Sequence, residues 1–177
     1  MSLRRLIGVL GVLAVLAGCE DTLSTQSASQ SSVRPGTSVV DGVIAATMFS
    51  SICIEAVPNF TQLPARLNTA AFKQNPETGT YYHQKLDLSV RFNKRGGSED
   101  GSCSMVFGSR DKAGEIALLV SSAALRKGAS KPNATLALNP NTNSASTKLI
   151  GGSEFLFNPV QRHNGRGYYR AIVQASK

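Results

Sequence analysis

The period of the apolar positions changes along this chain, and each change marks an element. An apolar stretch at residues 6–16 follows Arg4 and Arg5. Residues 20–38 then show neither helical nor strand periodicity; they are rich in Ser, Thr and Gln, with Pro35-Gly36 near the end. Such a composition predicts a flexible tether, about 25 Å long on average and about 65 Å at full stretch. From Asp41 the spacing becomes helical, with Val43, Ile44, Met48, Ile52 and Cys53 recurring at helix intervals. Asp41 is a ready cap, the helix runs to about Val57, and Pro58-Asn59 ends it. Ala45, Ala46 and Phe49 make the other side apolar too, which predicts a buried helix. A second helix is expected over residues 62–73, capped by Thr61, with Leu63, Leu67, Ala70 and Ala71 on one face and Asn75-Pro76 as its stop.

The period then drops to two. Leu86, Leu88, Val90 and Phe92 alternate with Asp87, Ser89 and Arg91, the pattern of a half-buried antiparallel strand reaching back to about Thr80. On this reading Asp87 points outward. After a polar, glycine-rich turn at 93–101, Cys103, Met105 and Phe107 alternate with Ser102, Ser104 and Val106 as the partner strand. A third helix over residues 112–126 is expected, capped by Asp111, with Ile116, Leu119, Val120 and Ala123 on its face and Lys127-Gly128 at its end. Short strands are expected at 135–138 and 148–150. Residues 154–160 and 167–174 read as two arms of a hairpin, with Asn164-Gly165 at a tip that needs positive φ. The sum is an α+β fold: N-terminal helices packed on an antiparallel sheet, one inserted helix, and a C-terminal β-meander. No internal repeat is visible.

At 177 residues the chain is long enough for one domain with a real core and too short to expect two. Charge is unevenly placed. Residues 112–177 hold nine Lys and Arg against Glu115 and Glu154 alone, whereas residues 19–111 are close to neutral. A basic C-terminal third reads either as a contact for an anionic partner or as a solvated surface that keeps the domain soluble.

The run Leu16-Ala17-Gly18-Cys19, behind a basic start and an apolar core, resembles the bacterial lipoprotein signal. The apolar stretch is shorter than the roughly 20 residues that span a bilayer. The resemblance implies that residues 1–18 are a removed signal peptide and that Cys19 is acylated and becomes the first mature residue. Residues 19–40 are then the lipidated cysteine and its tether, and residues 41–177 the domain, held in the bacterial envelope with its fold in the periplasm. Two or more acyl chains give stable anchoring. With Cys19 used, Cys53 and Cys103 remain, and an exported domain usually pairs two such cysteines. Cys103, on the apolar phase of its strand, would then staple the first helix to the sheet. The helix cysteine followed by Val57-Pro58-Asn59-Phe60, and the strand Cys103-Ser104-Met105-Val106-Phe107, resemble small Gram-negative envelope lipoproteins, a resemblance that implies no particular activity.

The candidate chemistry is sparse. There is no Cys-x-x-Cys, and His83 and His163 are the only histidines, so no metal site is expected. Neither a nucleophile elbow, a phosphate loop nor a dinucleotide fingerprint occurs, so no cofactor and no catalytic residue is assigned. His83, Asp87 and Glu55 are the residue types a small hydrolase would use, but their spacing makes no case for it. The hairpin tip is the better candidate: Arg162, His163 and Arg166 crowd one turn, with Arg170 down the arm, a set suited to a phosphate or carboxylate. The partners this implies are the membrane, through the anchor, and an anionic envelope component or acidic protein; the compartment argues against nucleic acid. A non-catalytic binding domain is therefore expected, with a periplasmic hydrolase or enzyme inhibitor as the alternative.

Overall fold

The computed structural model describes residues 37–57, 60–93, 101–128, 136–149 and 152–175. The signal, Cys19 and most of the tether lie outside these residues, as do the turn at 94–100 and the sequence around Asn133. Within them the order is α1 (Gly42–Ile52), a 3-10 turn (Ile54–Ala56), α2 (Leu63–Thr69), β1 (Phe72–Gln74), β2 (Tyr81–His83), β3 (Leu88–Asn93) and β4 (Ser102–Ser109). Then follow α3 (Ala113–Gly128), β5 (Ala137–Asn139), β6 (Ser144–Lys148), β7 (Glu154–His163) and β8 (Arg166–Gln174). The fold is mixed α+β, with helices on an antiparallel sheet and a C-terminal meander from β5 to β8.

The eight strands form one sheet in the order β1-β2-β3-β4-β8-β7-β6-β5, every neighbouring pair antiparallel. The connectivity is symmetric about the central pair. Each half is a helical segment followed by a four-stranded meander, and the two meanders join through their last strands, β4 and β8. Met105 and Ala171 face one another in that central pair. The repeat is one of topology and is not visible in the residues.

Alternation sends Leu88, Val90, Cys103, Met105, Phe107, Phe155, Phe157, Tyr169, Ala171 and Val173 to one face of the sheet, where they join the helices in one core. Phe49 of α1 meets Phe155 with ring centroids 5.7 Å apart. The Cys53–Cys103 disulfide ties the end of α1 to β4 across a Cα–Cα distance of 5.5 Å, both residues fully buried. The expected staple between helix and sheet is thus present.

Several local expectations are corrected. Asp41 caps α1 as expected, its Oδ1 accepting the N–H groups of Val43 and Ile44 at 2.8 and 3.4 Å. Asp111 does not serve the helix that follows it. Its Oδ2 accepts the Gly42 N–H of α1 at 2.8 Å, because the end of β4 brings it to that helix's first turn. The second helix stops at Ala70; Ala71 takes φ 62°, and Phe72 and Lys73, read as helix, become part of β1 (Phe72–Gln74), which pairs with β2. Thr61 is not its cap, since Gln62 holds that position without a side-chain bond. The strand expected from Thr80 onward is broken into β2 and β3 by the loop that holds Asp87. In α3, Leu119 is 38% exposed and Ala117 and Ala124 are buried instead, so the buried stripe is rotated from the one expected. The strand expected at 148–150 is β6, centred earlier. Residues 37–40, read as the end of the tether, already pack on the domain: Val40 is buried, its N–H donates to the Gly108 carbonyl at 2.8 Å, and Ser38 bridges Leu86.

The terminal hairpin forms as expected. Asn164 and Gly165 take φ 50° and 72°, the paired positive values of a tight I′-type turn. In β7 the register slips between Pro159 and Gln161. Proline has no N–H for the ladder, so a bulge is the local answer.

Candidate functional site: the helix-free face of the sheet

The helices pack on one side of the sheet, so the polar phase of each strand makes up the other. Register lines these residues into rows across the strands, with neighbours in a row about 4.8 Å apart. One row runs Tyr82, Ser89, Val106, Arg170, Asn158 across β2, β3, β4, β8 and β7. The next runs Arg91, Ser104, Ile172, Leu156, Ser146 across β3, β4, β8, β7 and β6. Serines and half-buried aliphatic side chains form a floor, and two guanidinium groups rise from its central strands.

Arg170 stands near the middle of this face. Its Nε is shielded from water and has no hydrogen-bond partner among the described residues. A shielded N–H of a cation left without an acceptor is costly, and the guanidinium as a whole is suited to a carboxylate or phosphate oxygen that reaches its accessible edge. Arg91, exposed in the next row, adds a second positive charge.

At the end of the face nearest the hairpin tip lies a buried polar cluster. Asp87, expected to point outward, is 6% exposed. The Tyr168 hydroxyl donates to its Oδ2 at 3.2 Å, and Arg166 Nη1 lies 3.5 Å from the same oxygen, an ion pair without hydrogen-bond geometry. The loop places Asp87 there through its backbone: its N–H donates to the Ser38 carbonyl at 2.7 Å, and its carbonyl accepts from Gly108 at 3.0 Å. Gly108 leaves the space, since a Cβ there would stand 2.5 Å from Asp87 Oδ2. Burial, and then the neighbouring Asp87 charge, holds the Tyr168 hydroxyl above its ordinary pKa; Tyr169 on the opposite face is raised mainly by burial. Both tyrosines are buried.

The structure separates the four residues of the sequence-predicted tip. His163 and Arg166 face one another and share the helix-free face with Arg170. Arg162 pairs with Gly167 and belongs to the other face, near Tyr169. Arg166 is turned to Asp87 as an ion pair, whereas Arg170 has no carboxylate beside it among the described residues; Arg166 Nη1 and Arg170 Nε both lack a hydrogen-bond acceptor there. Arg91 and Tyr82, which share this face, were not singled out. Their polar-phase positions could be read from the alternation, but their place beside Arg170 depends on which strands pair.

The residue types considered for hydrolysis are each engaged elsewhere. His83 Nδ1 accepts the N–H groups of Lys85 and Leu86 at 3.1 and 3.0 Å, and its ring meets Phe72 edge-on at 5.1 Å. Glu55 pairs with Arg66 at 3.0 Å. Among the described residues no group of three His, Cys, Asp or Glu is placed to hold a metal ion.

Comparison with known protein families, with curated proteins and with solved structures yields no match.

Proposed function

We propose that this chain is a lipid-anchored protein of the bacterial envelope whose periplasmic domain binds an anionic partner without transforming it. The anchor rests on Leu16-Ala17-Gly18-Cys19 behind its basic and apolar segments. The Cys53–Cys103 disulfide is in keeping with an oxidising compartment. The binding role rests chiefly on Arg170 and Arg91, two guanidinium groups on the sheet face opposite the described helices, with no carboxylate paired to Arg170 among the described residues. An acidic protein segment or an anionic envelope component supplies the matching negative charge. A hydrolase reading needs His83 beside a carboxylate, and the described bonds of His83, Asp87 and Glu55 lead elsewhere.

The test is the intact mass of the full chain purified from bacterial membranes, before and after reduction and thiol alkylation. Acyl mass on Cys19, with two thiols appearing only on reduction, supports the reading. A chain still carrying residues 1–18, or one with Cys19 unmodified, overturns the anchor.

A further inference from the structure

The outer surface of the helix layer differs in kind from the sheet face. Helix α1 has no charged residue from Gly42 to Ile52. Val43 and Ile44 in its first turn are 59% and 44% exposed, and Leu118 of α3 is 50% exposed. Leu119 joins them: it lines a groove of about 470 Å³ between the two helices with Val43, Ala46 and Ala123. Four large apolar side chains thus stand in water within the first two turns of two neighbouring helices. A clustered apolar surface of this kind marks a contact site.

Its position says what covers it. Asp111, just before α3, caps the first turn of α1, so both helices start at the same end of the molecule. The chain joins the domain at that end, where residues 37–41 lead directly into α1. Only 17 residues lie between Cys19 and Thr37. Even fully extended they reach about 63 Å, so an anchored domain stays close to its bilayer and is attached to it through this end.

We infer that the exposed apolar turns of α1 and α3 rest in the interfacial layer of the membrane that carries the anchor. Val43, Ile44, Leu118 and Leu119 enter the acyl boundary as the apolar face of an interfacial helix does. The contact is chiefly apolar: these four side chains carry no charge, and the charged groups that line the same groove, Glu55 and Arg126, have opposite signs. It turns Arg91 and Arg170, on the opposite face of the sheet, toward the aqueous side. This inference rests on the lipid-anchor reading.

The chain has no tryptophan, so one introduced residue gives an unambiguous emission. Full-length Leu118→Trp, Ile44→Trp and Arg91→Trp proteins, purified from bacterial membranes, are reconstituted in phosphatidylethanolamine–phosphatidylglycerol vesicles with brominated acyl chains. Intact mass first establishes acylation of Cys19 in each; an unacylated Cys19 overturns both the anchor and this contact. With the anchor present, brominated lipid is expected to quench Leu118→Trp and Ile44→Trp emission about twofold, unchanged at high salt, and to leave Arg91→Trp nearly untouched. Acylated protein with equally weak quenching at all three positions overturns the contact and leaves the anchor standing. A blue shift at 118 without quenching also overturns it, in favour of a second copy of the chain on this face.

Discussion

Asp111 caps a helix to which it does not belong: its Oδ2 accepts the Gly42 N–H at 2.8 Å, across 69 residues of sequence. Asp41 caps the same helix from within. The first turn of α1 therefore has two carboxylates on its free N–H groups, one local and one delivered by β4. The helix dipole favours negative charge there.

This sharing sets the expected cost of losing each cap. Asp111→Ala should lower stability by about 1–2 kcal/mol, at the upper end of cap losses because the bond is partly buried. Asp41→Ala, at an exposed position, should cost about 1 kcal/mol or less. Urea unfolding followed by circular dichroism measures both. An Asp111→Ala loss smaller than that of Asp41→Ala would show that the long-range cap contributes little.

Asp87 answers the charge of Arg166 in a buried setting. Asp87→Asn should destabilise by about 1–3 kcal/mol, since it leaves Arg166 and the Tyr168 hydroxyl with a weaker acceptor. Adding Arg166→Met should recover part of that loss, because removing both charges is milder than stranding one. A fully additive double mutant would show that the pair is not coupled.

The two buried tyrosines predict a sign for alkaline sensitivity. A folded-state tyrosine pKa above the unfolded value means that the native state holds its proton more tightly. The stabilisation is complete below the unfolded value near 10, and is lost as pH rises through the raised folded value. Stability should therefore begin to fall above about pH 10 and go on falling until the raised folded value is passed, and Tyr168→Phe should flatten part of the decline. Ultraviolet titration of the phenolates beside urea unfolding provides the check; an unchanged slope in Tyr168→Phe refutes the assignment.

The disulfide closes a loop with a sequence separation of 50. Chain-entropy reasoning gives a loss of about 4 kcal/mol for Cys53→Ala with Cys103→Ala. The double variant should melt well below the native protein, and reduction should lower the native melting temperature to a similar degree. Equal melting of oxidised and reduced protein would contradict it.

The sheet face makes a prediction about anion binding. Retention of the full chain on a sulfated polysaccharide matrix should fall for Arg170→Gln and for Arg91→Ser. Arg162→Gln, on the other face, should behave as the native protein does. Equal loss from all three would mean that net charge alone, rather than this face, carries the binding.

Much of the fold is written in local pattern. The alternation of Val90 with Arg91, or of Cys103 with Ser104, states which side of a strand each residue takes. The Asn164-Gly165 pair states where the last hairpin turns, and Asp41 states where α1 begins. Each depends on residues a few positions apart, within reach of simple periodicity. Ala71 was less legible, because an alanine at positive φ gives no sign that a helix will stop before Phe72.

The candidate site is legible only in part, because it is assembled from contacts of long range. That Arg170 and Arg91 occupy polar phases is visible along the chain. That they share the sheet face opposite the described helices follows from β4 pairing with β8, strands 64 residues apart at their starts. Asp87 continues the polar phase of β3 in the loop before it, yet Gly108, Tyr168 and Arg166 close around it from β4 and β8 and bury it. The sequence by itself determined the elements, the face each residue takes and the cysteines available to pair. Tertiary structure decided the symmetric strand order, the partner of Asp111 and the burial of Asp87. The physical reason is that periodicity records the environment of a residue, inside or outside, while the identity of its neighbour depends on which strand edges meet.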